Sequence, residues 1–237
     1  SDTILKSIRN RFLVFLALKN ATHRLSCGNL AGIKIFGNKS YQIVPNAIDI
    51  NKYKFSLKNR KEIREEFHIE EHQKVVGMIG IINRFKNQNF LIEIAKELPD
   101  VTFFFVGEGP DRAILQKNSK ELKNIIFTGK REDVHKFYSA FDIFAFPSLY
   151  EGFPIVLVEA QCSGVDILMN ETIDPTTQIV SELCTAMPLD KAKWVNYIKK
   201  APIKKKQRQL NEHLKQFDIE ENVQNLKEIY KQGLKRE

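Results

Sequence analysis

Long apolar runs are missing from this 237-residue chain, and so is any cysteine framework. A helix that spans a bilayer needs about 20 consecutive apolar residues. The longest run near the start, Phe12 to Leu18, stops at Lys19. Lys6, Arg9 and Arg11 precede it, as in a secretory leader, but no small-residue cleavage site follows. The run therefore reads as part of a core helix over residues 3–19. Cys27, Cys162 and Cys184 are odd in number and far apart, which excludes a disulfide scaffold and fits a reducing cytoplasm. Metal-ligand spacing is absent as well, so no metal is expected. His23, His68, His72, His135 and His213 are scattered, and none is placed as a general base. There is no initiator methionine either. The chain starts at Ser1-Asp2 and is expected to be part of a longer one.

What is present is basic charge on a globular composition. Lys and Arg number 37 against 29 Asp and Glu, a net charge of +8, with 43% hydrophobic residues. Lys199-Lys200 and Lys204-Lys205-Lys206, with Arg208, concentrate part of the charge. A basic surface suits phosphorylated ligands or peripheral contact with an anionic membrane, here at the inner face. No nucleic-acid module signature accompanies it, so no nucleic-acid partner is expected.

The first block is short and mixed. Residues 22–27 and 41–44 read as brief strands, and 30–36 as a helix closed by Gly37-Asn38. Pro45-Asn46-Ala47-Ile48-Asp49 ends the block. Residues 52–73 are polar and charged, helix-like over 60–67, and read as a linker between domains. From Lys74 the pattern changes. Apolar runs at 75–82, 101–106, 125–127, 143–146 and 166–169 read as five buried strands. Helical stretches at 90–98, 111–119, 134–141 and 155–162 alternate with them. That alternation predicts an α/β fold, a doubly wound, Rossmann-like parallel sheet. Ligands of such sheets bind beyond the C-terminal strand ends. The loops there are Asn83–Asn87, Gly107–Asp111, Gly129–Asp133 and Ser148–Pro154, and they are expected to converge. C-terminal helices follow. Trp194, Tyr197 and Ile198 share one face, and Val223, Leu226 and Tyr230 form the apolar side of the last helix.

The chemistry concentrates in Glu151-Gly152-Phe153-Pro154 and the helix behind it, which carries Glu159. A strand, a short loop and a helix start offer backbone N–H groups and a positive dipole end to an anion. The two glutamates can accept hydrogen bonds from hydroxyls.

This segment resembles the E-x7-E motif of the retaining family 4 glycosyltransferases, together with its lead-in Asp142-Ile143-Phe144-Ala145-Phe146-Pro147-Ser148. The resemblance extends over nearly the whole chain. It implies a GT-B fold whose N-terminal domain is incomplete here. Residues 1–50 would be the end of the acceptor-binding domain and 51–73 the linker. Residues 74–214 would form the donor-binding domain, and 215–237 a helix crossing back. It also implies transfer of a sugar, with retention, from a UDP- or GDP-sugar to a saccharide or lipid-linked acceptor, without a cofactor. Glu151 would contact the donor sugar and Glu159 the ribose hydroxyls, with Gly152, Phe153 and Pro154 beside them. Lys86 and Arg84 would face the diphosphate. Gly80, Gly109 and Arg131 stand in the family's other donor loops. One departure stands out: Ile81 follows Gly80 where the family has arginine. Asp133 is read as the cap of the next helix. Two other readings stay open, a non-catalytic nucleotide-binding module of this fold and a nucleotide-sugar epimerase.

Overall fold

The computed structural model describes residues 9, 13–203, 208 and 210–234. The chain forms two compact units, Ile48–Lys215 and a smaller one joining the segment up to Ala47 with that from Gln216 onward. The smaller unit opens with helix α1 (13–20), strand β1 (Leu25–Ser26), helix α2 (Asn29–Phe36) and strand β2 (Gln42–Ile43). β1 and β2 pair in parallel. Gly37 ends α2 at φ 59°, its N–H bonded to Ile33 O, so a residue without Cβ closes the helix as expected.

The larger unit begins with α3 (Leu57–Glu66), β3 (Lys74–Ile79), α4 (Gln88–Ala95), β4 (Val101–Val106) and α5 (Arg112–Asn118). It continues with β5 (Ile125–Gly129), α6 (Val134–Ala140), β6 (Ile143–Phe146), α7 (Ile155–Cys162) and β7 (Asp166–Asn170). β8 (Cys184–Met187) and α8 (Lys191–Lys200) complete it. All six strands are parallel, in the order β5-β4-β3-β6-β7-β8. β8 is an addition to the five strands expected. It is an edge strand of Cys-Thr-Ala-Met, half-buried at best, and lacks the apolar run that marks the others.

Side-chain alternation sorts the core into two layers. In β4, Phe104 points to one face, with Phe137, Phe141 and Leu157, while Phe103 and Phe105 point to the other, with Leu91, Trp194 and Ile198. Helices α3, α6 and α7 cover the first layer and α4 and α8 the second. Gly77 in β3 lies under Phe141: a Cβ there would meet the ring at 2.1 Å.

The stretch 51–73, read as a linker, carries α3, and α3 is locked to the sheet. Arg60 and Arg64, one helical turn apart, are buried against Asp142 at the foot of β6. Asp142 accepts from Arg60 Nη2 at 3.2 Å, Arg64 Nη2 at 2.9 Å and the Val75 N–H at 2.8 Å. Arg208, counted in sequence with the basic surface, is also turned inward. It stacks 4.8 Å over Phe55 and donates to Phe141 O at 2.8 Å. Lys204-Lys205-Lys206 lie outside the described residues.

α9 (Ile219–Leu234) belongs to the smaller unit. Its covered side is not the one expected. Leu226 is half-buried, but Asn222 and Ile229 are the buried positions, while Val223 and Tyr230 are exposed. Asn222 sets this rotation by donating to Pro45 O at 2.9 Å. Among the described residues no helix is long and apolar enough to cross a membrane.

Candidate functional site

The strand order dictates where a ligand fits. From β3 the chain winds outward through β4 and β5, then returns to β6 and winds the other way. No crossover covers the C-terminal ends of β3 and β6, which leaves a crevice between the loops that follow them. Those loops are stitched together. Leu149 N donates to Phe85 O at 2.8 Å, and Asn87 Nδ2 donates to Pro147 O at 3.2 Å. Between them Lys86 Nζ lies 2.7 Å from Glu151 Oε1, the two side chains only 17% and 15% exposed. The ammonium also sits 5.1 Å from the centre of the Phe146 ring. Asn83 shapes the approach: its Oδ1 accepts from the N–H groups of Phe85 and Lys86, both at 3.0 Å.

The other strand-end loops join the same row. Ile82 N donates to Glu108 O at 2.9 Å, Asp111 N to Ile82 O at 3.2 Å, and Gly107 N to Gly129 O at 3.0 Å. The glycines divide by duty. A Cβ on Gly109 would lie 2.1 Å from Ile82 O, so that glycine serves loop packing. Gly80, at φ 144°, faces the stem of Lys86, and Gly152 meets nothing within 4 Å. Phe153 is half-buried, and Pro154 is buried directly before α7, whose first turn has no side-chain cap.

Glu159 is neither a surface residue nor a partner of Glu151. It is buried in α7, where its Oε2 accepts from the Tyr138 hydroxyl at 2.5 Å. Burial pushes its pKa up, while hydrogen bonding to Tyr138 and Tyr53 and the charge of Lys52 pull it down. Sequence reasoning passed over both tyrosines. They are remote from α7 in sequence, and Tyr138 has the look of an ordinary apolar-face residue.

Two predicted site residues are committed elsewhere. Arg131 holds Glu66 through Nη1 at 2.6 Å and Nη2 at 2.9 Å, and Asp133 through Nε at 2.8 Å and Nη2 at 2.9 Å. With its donors taken, a role in ligand binding would require breaking a doubly bidentate arrangement. The same contact corrects the reading of Asp133: its side chain makes no cap bond to α6 because Arg131 takes it. Arg84 is exposed and stacks 4.7 Å over the Phe85 ring. Ile81 points outward, 59% exposed, at the rim of the crevice. Among the described residues no three His, Cys, Asp or Glu side chains are grouped to hold a metal, and the three cysteines form no disulfide.

An open parallel sheet with a cation–carboxylate pair at its switch point defines a Rossmann-like domain. Residues 59–209 match the model of the glycosyl transferases group 1 family, and the chain belongs to that family. EpsF of Bacillus subtilis (strain 168), which bears the name of a glycosyltransferase, is 30% identical over 94% of this chain and 63% of its own length. UDP-Gal:alpha-D-GlcNAc-diphosphoundecaprenol alpha-1,3-galactosyltransferase of Escherichia coli is 28% identical over 54% of this chain and 36% of its own. The chain thus spans less than two thirds of the length of these relatives. Anabaena Alr3699/HepE, solved in complex with UDP-glucose, superposes with a TM-score of 0.77 at 22% identity, over 98% of this chain and 70% of that one. The fold is of the GT-B glycosyltransferase kind.

Proposed function

We propose that this chain carries the donor-binding part of a retaining, family 4 glycosyltransferase. The enzyme moves a sugar from a nucleoside diphosphate, of the UDP or GDP class, to a saccharide or lipid-linked acceptor in polysaccharide synthesis. Residues 74–214, with α3 attached, are the donor domain. Residues 1–50 and 215–237 belong to the acceptor-binding side. The site of action is cytoplasmic, at the inner face of the membrane.

One observation carries the reading: the Lys86–Glu151 pair lies at the β3/β6 switch point of a group 1 family sheet. In transfer, the bond between the sugar's anomeric carbon and the β-phosphate oxygen breaks, and the nucleoside diphosphate leaves with the electron pair. The acceptor hydroxyl oxygen bonds to that carbon and gives up its proton to the departing phosphate. Charge grows on the diphosphate, and Lys86 with the first N–H groups of α7 stabilises it. Glu151, released from Lys86, then accepts from donor sugar hydroxyls. Glu159 accepts from the ribose. Gly80 and Gly152 leave room for close backbone approach. The neighbour solved with UDP-glucose and relatives named for sugar transfer favour this over a bare nucleotide module or an epimerase.

Calorimetric titration of the chain with UDP, GDP and ADP tests the proposal. Saturable binding of UDP or GDP, lost in Lys86→Ala, is the expected result. Product from the longer enzyme, examined by NMR for anomeric configuration, tests retention; an inverted product sinks that part alone.

A further inference from the structure

We infer that Tyr138 and Tyr53 are positioning residues for Glu159, holding its carboxylate charged and aimed so that it accepts hydrogen bonds from the vicinal hydroxyls of a nucleotide's ribose. The inference rests on the donor reading above.

A carboxylate buried as deeply as Glu159 tends to take up a proton, because leaving water penalises the charged form. A protonated carboxyl has one oxygen fewer to offer a diol. The surroundings of Glu159 work against that outcome. The Tyr138 hydroxyl is fully buried, and its single hydrogen has a choice between Glu159 Oε2 at 2.5 Å and Val156 O at 3.4 Å. The shorter, charge-assisted bond wins. The Tyr53 ring stands edge-on to Tyr138, centroids 5.9 Å apart at 66°, and its hydroxyl faces the same carboxylate. Lys52, the next residue, adds positive charge.

Among the described residues, the groups facing the carboxylate come from two elements. α6 supplies Tyr138, and the turn around residues 49–53 supplies Tyr53 and Lys52. Cys162 of α7 faces both tyrosines, and Asp49 faces Tyr53. Tyr138 is locked in the core, whereas Tyr53 is only half-buried. Tyr138 therefore fixes the carboxylate, and Tyr53 is the donor that a ligand hydroxyl replaces.

The experiment is calorimetric titration with UDP and with GDP between pH 5 and 8. It uses the whole chain and its Tyr138→Phe, Tyr53→Phe and Glu159→Gln variants. Wild-type affinity is expected to fall on the acid side as Glu159 gains a proton. Tyr138→Phe moves that fall upward by about one pH unit, the worth of one hydrogen bond to a charged group. Tyr53→Phe moves it the same way by less, and carries the test alone if Tyr138→Phe does not fold. Glu159→Gln binds weakly and keeps only the pH dependence of the nucleotide's own terminal phosphate, which titrates at about pH 6. Equal weakening of both Phe variants at every pH, or no change, overturns the inference while a weakened Glu159→Gln leaves the donor reading standing. A Glu159→Gln variant that titrates like wild type, or a wild type that binds neither nucleotide, overturns both.

Discussion

Lys86 and Glu151 neutralise each other across the mouth of the crevice, Nζ to Oε1 2.7 Å apart, from loops that follow different strands. A diphosphate must therefore compete with a resident carboxylate. Glu151→Gln frees the ammonium and is expected to tighten UDP binding by about tenfold, the worth of one charge-assisted bond. The same variant loses the carboxylate proposed to hold sugar hydroxyls, so the affinity ratio of UDP-sugar to UDP falls. Calorimetry on both ligands checks this. Weaker UDP binding in Glu151→Gln would show that the pair is not a competitor.

Asp142 anchors two buried arginines and one backbone N–H, so its removal leaves both guanidinium groups without their buried counter-charge among the described residues. Breaking a buried pair from one side costs about 3–5 kcal/mol. Asp142→Ala is expected to lose stability on that scale in urea unfolding, with α3 the first element to lose amide protection. A loss below about 1 kcal/mol, the scale of a surface pair, would mean that the arginines find other partners.

The glycines make a paired prediction. Gly109→Ala drives a Cβ to 2.1 Å from Ile82 O, whereas Gly152→Ala meets nothing within 4 Å. The first is expected to cost about 1–3 kcal/mol as the backbone shifts. The second leaves the melting temperature nearly unchanged and acts on ligand affinity alone. Thermal melts of both variants, with UDP titrations, separate the two duties. Equal melting temperatures would remove the packing role given to Gly109.

Glu159 gives stability a pH signature. Its folded pKa is raised above the ordinary 4.5, chiefly by burial. Below 4.5 the carboxyl is protonated in folded and unfolded chains alike. Between that value and the raised one, the folded chain keeps a proton that the unfolded chain has released. Stability therefore falls as pH rises through this window, and the loss is complete above the folded pKa. Glu159→Gln removes the effect. The difference in melting temperature, variant minus wild type, should rise across that window and then level off. A difference that stays constant with pH would place the carboxylate in a solvated setting.

Much of the sheet was legible because its strands are buried on both faces and so read as unbroken apolar runs. The edge strand β8 was not, since one-sided cover asks for no such run. Arg60 and Arg64 illustrate a deeper limit. Their spacing one turn apart reads as a solvated face, and only the position of Asp142 in three dimensions makes them core. The site shows the same division. The spacing of Glu151 and Glu159 and the character of Lys86 were visible in one dimension. The Lys86–Glu151 bond, the tyrosines on Glu159 and the capture of Arg131 by Glu66 depend on which loops the topology brings side by side.

Ile81 offers the sharpest test of how the site handles charge. It stands exposed at the crevice rim, following Gly80, and Arg84 is stacked on Phe85 instead of filling in. Lys86 is then the one cation placed at the crevice among the described site residues, and Glu151 holds it. Ile81→Arg adds a bidentate donor at an exposed position where no buried contact is lost, so folding should be unaffected. The gain falls on the phosphates: about tenfold tighter UDP binding, with little change for uridine. Because the new contact is partly solvated, the gain should shrink as salt rises from 50 mM to 500 mM. Calorimetry with UDP and uridine at both salt levels is the measurement. Equal tightening of both ligands would mean that the arginine stacks on the base, and no tightening would mean that the diphosphate lies out of its reach.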